Sequence, residues 1–389
     1  MKVEQIYSLM NSVTSEVLGK TDLIKEDLSN VIDVGKELFS ASDVDNYVKA
    51  LVNRVGKTIF VNRKYAGKIP SVVMDAWEFG SVLQKISADL PNATENESWE
   101  LENGTSYDPN IFYKPSVSAK FYNSKVTFEV PLSFTEKQVK ESFNNASELN
   151  AFLSMLYNAV EKSMTVKTDA LVMRTINNMI ANTFNGDTTG VRAVNLLKEY
   201  NTLNGLSGAT VLTASKALTT PEFLRFASLK IALYADRLGT ISTLFNAGGK
   251  ERFTSKEDLR IVLLSDFAQG AKTYLESDTF NKELVALPNA ETVPYWQASG
   301  TSYSFDKTGT INVQIKGDNG VKKDVTVNGI IGVMFDRDAL GVSNLDRRVT
   351  TNYNPKAEFF SNWYKFDAGY FNDLNENFVV FYVADVATK

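Results

Sequence analysis

The chain has 389 residues, 43% hydrophobic and 22% charged, with a formal net charge of −5 and neither cysteine nor histidine. These values suit a soluble globular protein with room for a large core or two to three packed units. The two absences exclude disulfide scaffolds, zinc sites, cysteine nucleophiles and serine–histidine pairs. The acidic balance argues against a dedicated nucleic-acid binder, which needs a basic excess to displace counterions from phosphates.

The opening stretch MKVEQIYSLMNSVTSEVLGK is amphipathic, with acids among its apolar residues rather than the continuous apolar block of a signal peptide. No apolar run approaches the roughly 20 residues that span a bilayer, so residence in a cytoplasm and no membrane partner are expected. Residues 1–57 read as helices. Leu23, Ile24, Leu28, Val31, Ile32 and Leu38 follow helical spacing, as do Val44, Tyr47, Val48, Leu51, Val52 and Val55 after Ser42 as N-cap. KTIFVNR and KIPSVVMD then turn toward strand, and residues 91–115 read as loop. SVSAKFYNSKVTFEVPLSF alternates in a β manner, with Asn123-Ser124 turning one strand into the next.

The longest helical signal follows. Asn145 and Glu148 form an Asn-type capping box. Leu149, Phe152, Leu153, Leu156, Val160, Met164, Leu171, Ile176, Met179 and Ile180 then hold one face until Asn185-Gly186. Such a helix is roughly 50 Å long and spans a domain; β-branched Thr165, Val166 and Thr168 are expected to loosen its middle. Thr220-Pro221 starts another helix that runs to Gly239. DLRIVLLS reads as a buried strand and DFAQGAKTYLES as a helix interrupted at Gly270. INVQIKGDNGVKKDVTV is a hairpin turning at Asp318-Asn319-Gly320, and IIGVMFD and NFVVFYV complete the strands. The class is α+β with long-range pairing.

Three short motifs suggest chemistry. DLNEN (373–377) has the Asp-x-Asn-x-Asn opening of a calcium loop, but Phe378 stands where the loop needs glycine and Ala384 where it needs glutamate. A polar turn before the last strand is the expectation. NAGGKERF (246–253) has the Gly-Lys of a phosphate loop, yet Leu244 and Glu251 replace the first glycine and the magnesium-binding hydroxyl. FDRD (335–338) offers Asp336 and Asp338 to a magnesium ion, with Arg337, Arg347 and Arg348 nearby pointing instead to a salt-bridged turn.

Charge is distributed in two blocks. From 46 to 74 there are six bases and no acids: Lys49, Arg54, Lys57, Arg63, Lys64 and Lys68. From 86 to 113 there are six acids and no bases: Asp89, Glu95, Glu97, Glu100, Glu102 and Asp108. Charge runs usually mark solvated faces. The functional alternative is that the two blocks meet across a subunit boundary and fix its register, which makes Lys49, Arg54, Lys57, Arg63, Lys64, Lys68, Glu95, Glu97, Glu100, Glu102 and Asp108 interface candidates.

In its order of helical arm, β excursion, spine helix, mixed middle domain and returning strands, the chain resembles the major capsid proteins of tailed bacteriophages, the Hong Kong ninety-seven fold. The resemblance rests on SVSAKFYNSKVTFEVPLSFTEKQVKESFNNASELNAFLSMLYNAVEKS and on the tail GVMFDRDALGVSNLDRRVTTNYNPKAEFFSNWYKFDAGYFNDLNENFVVFYVAD. It implies an N-terminal arm (1–57), an extended β loop (58–132), and a peripheral domain with the spine helix (133–186). An axial domain (187–329, including a 301–329 hairpin) and a return to the peripheral domain (330–389) would follow. It further implies pentamers and hexamers of an icosahedral-type shell, no cofactor, metal or catalytic residue, and location in the virion capsid after assembly in the host cytoplasm. The implied partners are other copies of the chain, a scaffolding protein, a portal protein and packaged double-stranded DNA held weakly and without sequence specificity. The lysine–asparagine cross-link of some members finds no residue-by-residue match here. Two alternatives stay open: an encapsulin-type compartment shell of the same fold, and a carboxylate-dependent magnesium enzyme built on Asp336, Asp338 and Asp373.

Overall fold

The computed structural model describes residues 3–18, 24–25, 29–40, 47, 50–51, 69–74, 83–88, 91, 100–114, 116–142, 144, 146–276, 290–297, 309–316 and 321–385. The expected caps Ser42 and Asn145, the KTIFVNR strand and the turn Asp318-Asn319-Gly320 lie outside them. The chain divides into two compact units. One comprises Met1–Glu78, Lys125–Val172 and Val342–Gly369; the other comprises Phe79–Ser124, Met173–Gly341 and Tyr370–Lys389.

The first unit carries a four-stranded sheet in the order β1 (Val73–Met74), β11 (Leu340–Asn354), β12 (Phe359–Asn372) and β4 (Lys125–Thr135). β12 and β4 are antiparallel from Phe359↔Thr135 to Gly369↔Lys125. Along β12 the even positions Phe360, Asn362, Tyr364, Phe366 and Ala368 are buried, the period-two signature of a sheet with one covered face. Phe366 sits opposite Phe128 with ring centroids 5.0 Å apart. The cover is helical: α1 (Val3–Leu18), α2 (Val31–Ser40), α3 (Glu136–Ser142) and the first part of α4 (Ala146–Gly186). Leu149, Leu153, Leu156, Val160 and Met164 of α4 join Met10, Val13, Val31, Phe134, Phe360 and Tyr364 in one core.

All ten positions expected on the apolar face of α4 are buried. Its 41 residues span about 60 Å. The β-branched residues do not end it: Thr165 and Thr168 donate their hydroxyls to the carbonyls of Glu161 and Met164, each at 2.9 Å. Those bonds keep the buried Thr168 hydroxyl satisfied inside the helix.

The second unit is built on a five-stranded mixed sheet: β5 (Ala193–Asn195), β13 (Phe378–Tyr382), β10 (Ile330–Asp336), β6 (Leu259–Leu264) and β7 (Ala290–Val293). β10 is buried along its whole length, as a central strand must be when both faces are covered. Helices α5 (Leu196–Leu203), α6 (Pro221–Leu238) and α7 (Ser265–Glu276) supply Leu197, Phe223, Leu224, Ile231 and Phe267 to its core. Contrary to the sequence expectation, α7 runs unbroken through Gly270. A helical glycine costs only about 1 kcal/mol, and burial of Phe267 and Ala271 on either side of it outweighs that.

Two antiparallel ribbons complete this unit, β2 (Leu83–Ala88) with β3 (Val117–Tyr122), and β8 (Ile311–Lys316) with β9 (Lys322–Val327). Asn123-Ser124 does join β3 to β4, but the two strands do not pair with each other. β3 pairs with β2 and β4 with β12.

Gly329 has φ +70°, and a Cβ there would overlap the Val383 carbonyl, whose own amide donates to Gly329 O at 2.8 Å. We expect Gly329→Ala to destabilise the second unit by about 3 kcal/mol, from left-handed strain plus overpacking. Denaturant unfolding of that unit checks it.

Candidate functional site

The three motifs singled out from the sequence come together in the second unit. The DLNEN turn joins β12 to β13. The backbone amides of Ala247 and Gly248 both donate to Leu374 O, at 2.9 and 3.0 Å, and Phe378 N donates to Phe245 O at 2.9 Å. Gly248 lies so close that a Cβ would collide with the Asn375 side chain. Asn246 braces the loop from inside, accepting from Lys250 N at 2.8 Å and donating to Lys250 O at 2.6 Å. The amides of NAGGKERF, which in a phosphate loop would face an anion, here satisfy a neighbouring turn.

FDRD is the third wall. Asp336 N donates to Asn377 O at 3.0 Å. The Asp336 carboxylate accepts from Thr254 Oγ1 at 2.8 Å and from Asp338 N at 2.9 Å. Burial pushes this carboxyl above its ordinary range, against the pull of those two bonds. The expected salt-bridged turn is corrected here, because Asp336 is held by neutral donors. Arg348 pairs elsewhere, with Asp346 at 2.8 Å and Asp367 at 2.7 Å. Among the described residues no three acidic side chains come together as a metal-binding group.

Onto this knot the β2–β3 ribbon is fastened by charge. Lys85 stands directly opposite Lys120, so both ammonium groups leave the same ribbon face. Like charges so placed are destabilising on their own. Here they bracket one carboxylate: Lys120 Nζ is 3.0 Å from Asp373 Oδ1 and Lys85 Nζ is 3.2 Å from Oδ2. Lys85 also lies 2.7 Å from Glu376 Oε1, and Arg252 Nε approaches the same oxygen at 3.3 Å. A further bond runs from Lys85 Nζ to Asp338 O at 3.2 Å.

The Asp373 side chain is only 3% exposed. Burial alone would raise its carboxyl, but the Asn375 amide and the ammonium groups of Lys120 and Lys85 hold it below the usual carboxylate range. Burial alone would likewise lower Lys85, and Glu376 with Asp373 outweighs it, so its ammonium is held above the ordinary lysine value. At the root of the ribbon Tyr122 meets Phe371, centroids 5.2 Å apart. Its hydroxyl is pushed up by burial and by the Asp373 charge.

The other ribbon face is apolar and open. Ile86, Val117 and Phe121 are each more than half exposed, and the segment beyond them exposes Leu101, Tyr107, Ile111, Phe112 (84%) and Tyr113 (82%). Large apolar side chains left exposed in such number along one stretch of chain mark interaction sites.

Of the interface candidates, Glu100, Glu102 and Asp108 lie in that exposed segment. Asp108 Oδ1 accepts from Asn110 N at 2.9 Å. Lys49, Arg54, Lys57, Arg63, Lys64, Lys68, Glu95 and Glu97 fall outside the described residues. Sequence reasoning missed Lys85, Lys120 and Arg252. The alternation of β3 puts Lys120 on the face opposite Phe121, but nothing local says which carboxylate it meets.

A family model described as Phi29-like phage major capsid protein matches residues 10–382. Among solved structures, the capsid of Staphylococcus phage Andhra superposes with TM-score 0.52 at 10% identity, covering 84% of this chain and 86% of that one. The structure of head fiber and inner core protein gp22 of native bacteriophage P68 gives 0.49 at 10% identity, covering 83% and 86%. The asymmetric unit of the bacteriophage PhiM1 mature capsid gives 0.45 at 8%, covering 84% and 88%. No curated protein matches the chain.

The ion cluster sets a pH window. With its folded pKa depressed, Asp373 contributes stability above its unfolded value near 4, lost as pH falls through the folded value. With its folded pKa raised, Lys85 contributes fully below about 10.4 and loses that contribution as pH rises through the folded value. Hydrogen exchange of the ribbon amides, corrected for the intrinsic pH dependence, should show a plateau of protection from about pH 5 to 10 that falls on both sides.

Proposed function

The chain belongs to the Phi29-like phage major capsid protein family, and on that premise we propose how its surface builds a shell. It is the major capsid subunit of a tailed bacteriophage, a structural protein of the virion that assembles with copies of itself; the encapsulin alternative is not favoured. In our proposal the apolar face of the β2–β3 ribbon and the segment out to Tyr113 lie over a neighbouring copy. The acidic block of that segment meets the basic block of 46–74 on the neighbour. The supporting observation is the concentration of exposed large apolar residues between Ile86 and Phe121, against a second unit whose core is otherwise well covered.

Magnitudes favour many shared contacts over one strong contact. Covering Phe112, Tyr113 and Phe121 removes on the order of 500 Å² of aromatic surface from one copy, more than half of the roughly 800 Å² that each partner loses in one standard interface. The remainder must come from other parts of the tile. We place ring contacts at the 187–329 region, heterologous and closed by rotation into pentamers and hexamers, with the 1–57 segment reaching a further neighbour. A scaffolding protein, a portal and packaged double-stranded DNA complete the partner set, with assembly in the host cytoplasm. A net charge of −5 suits a lining along which DNA slides without adhering.

Charge reversal at Glu97, Glu100 and Glu102 to lysine tests the pairing of the two blocks. Negative-stain microscopy should find no closed shells while circular dichroism finds the subunit folded. Normal shells from the triple variant would reject it.

A further inference from the structure

We propose that Lys85, Lys120, Asp373 and Glu376 are positioning residues for assembly: their ion cluster fixes the direction in which the ribbon leaves the second unit, so that its apolar face meets a second copy already oriented. This rests on the ribbon-docking proposal above and adds to it the part of the subunit that aims the ribbon.

β2 and β3 form a sheet of two strands, and an isolated two-stranded ribbon is marginally stable and free to swing. Two lysines, one from each strand, grip opposite oxygens of the same Asp373 carboxylate. A single attachment would leave the ribbon free to roll about its long axis; one on each strand does not. Lys85 adds a second point of attachment at Glu376 and a third at Asp338 O.

The anchor itself is rigid. Asp373 N donates to Ala339 O at 2.7 Å, Glu376 N to Asp373 O at 3.2 Å, and Asn375 N to Asp373 Oδ1 at 3.0 Å, while the 246–250 loop closes over Leu374. Removing Asp373 also leaves two ammonium groups facing each other across the ribbon, with only Lys85 still paired, to Glu376, so the two-stranded grip that sets ribbon direction depends on this carboxylate. Docking a pre-aimed ribbon forgoes the ordering entropy that a swinging one loses at each contact.

Because the chain has no cysteine, spin labels can be placed cleanly at Ala119→Cys on the ribbon and Lys256→Cys on the body of the same unit. In the unassembled full-length subunit, pulsed dipolar spectroscopy should give one narrow distance distribution. With Asp373→Asn, or with Lys85→Gln and Lys120→Gln together, it should broaden, and unlabelled versions should assemble at least about tenfold more slowly by light scattering. Lys120→Arg should restore both the narrow distribution and the rate.

Melting curves identify any variant that has lost its fold. In that event Lys120→Gln alone, at a side chain 40% exposed, gives the same readout. A narrow distribution in the clamp variants would overturn the inference, as would an unchanged assembly rate. Phe121→Ser separates the two proposals: it should keep the narrow distribution and lose assembly. Wild-type assembly of Phe121→Ser would reject ribbon docking.

Discussion

A single buried carboxylate, Asp373, holds two lysines that would otherwise repel each other. Without it the β2–β3 ribbon has an uphill pair of charges at its base, and Lys120 loses its hold on the turn beneath while Lys85 keeps only its contacts with Glu376 and Asp338 O. The geometry is demanding because each oxygen serves a different strand, and Glu376 takes the remaining reach of Lys85 while Arg252 balances Glu376. Partly buried pairs of this kind add little net stability over an apolar contact, but breaking one side is expensive. Their value is in specifying direction.

Around this carboxylate, residue patterns that elsewhere bind metals or phosphates are used to satisfy backbone. The glycine pair of NAGGKERF offers amides to Leu374 O and clearance to Asn375. Asp336 serves Thr254 and the amide of Asp338, and Thr254 accepts from Asn377 at 3.1 Å. A polar turn packed against the buried central strands of a sheet must have every donor met. Short polar and glycine residues do that best, which is also why they populate ligand loops.

This arrangement suits a shell tile. The second unit is rigid where β6, β10 and β13 are buried, while its ribbon and the segment beyond expose an unusual run of large apolar side chains. A shell subunit needs both properties, since contacts repeated over many copies magnify any error in the angle at which they meet.

The longest helices and the central buried strands were legible from local pattern alone. The short helices α3 and α5 were not, and α7 was expected to break at Gly270. The ten-residue face of α4, the Thr220-Pro221 start of α6 and the apolar runs of β6, β10 and β13 follow from side-chain periodicity, which each segment carries in itself. β11 and β12 were harder to read, because Asn362 occupies a buried position of β12 and lysine, aspartate and tryptophan alternate with the apolar set. Glu100, Glu102 and Asp108 were visible as a charge block in the sequence and are exposed in the structure. Tertiary structure alone decided that β3 and β4 part to different sheets, that three unrelated motifs share one knot, and that Lys120 meets Asp373 across 253 positions. A lysine in a strand has the same local signature whether it faces water or a carboxylate, and only the closed chain brings the carboxylate to it.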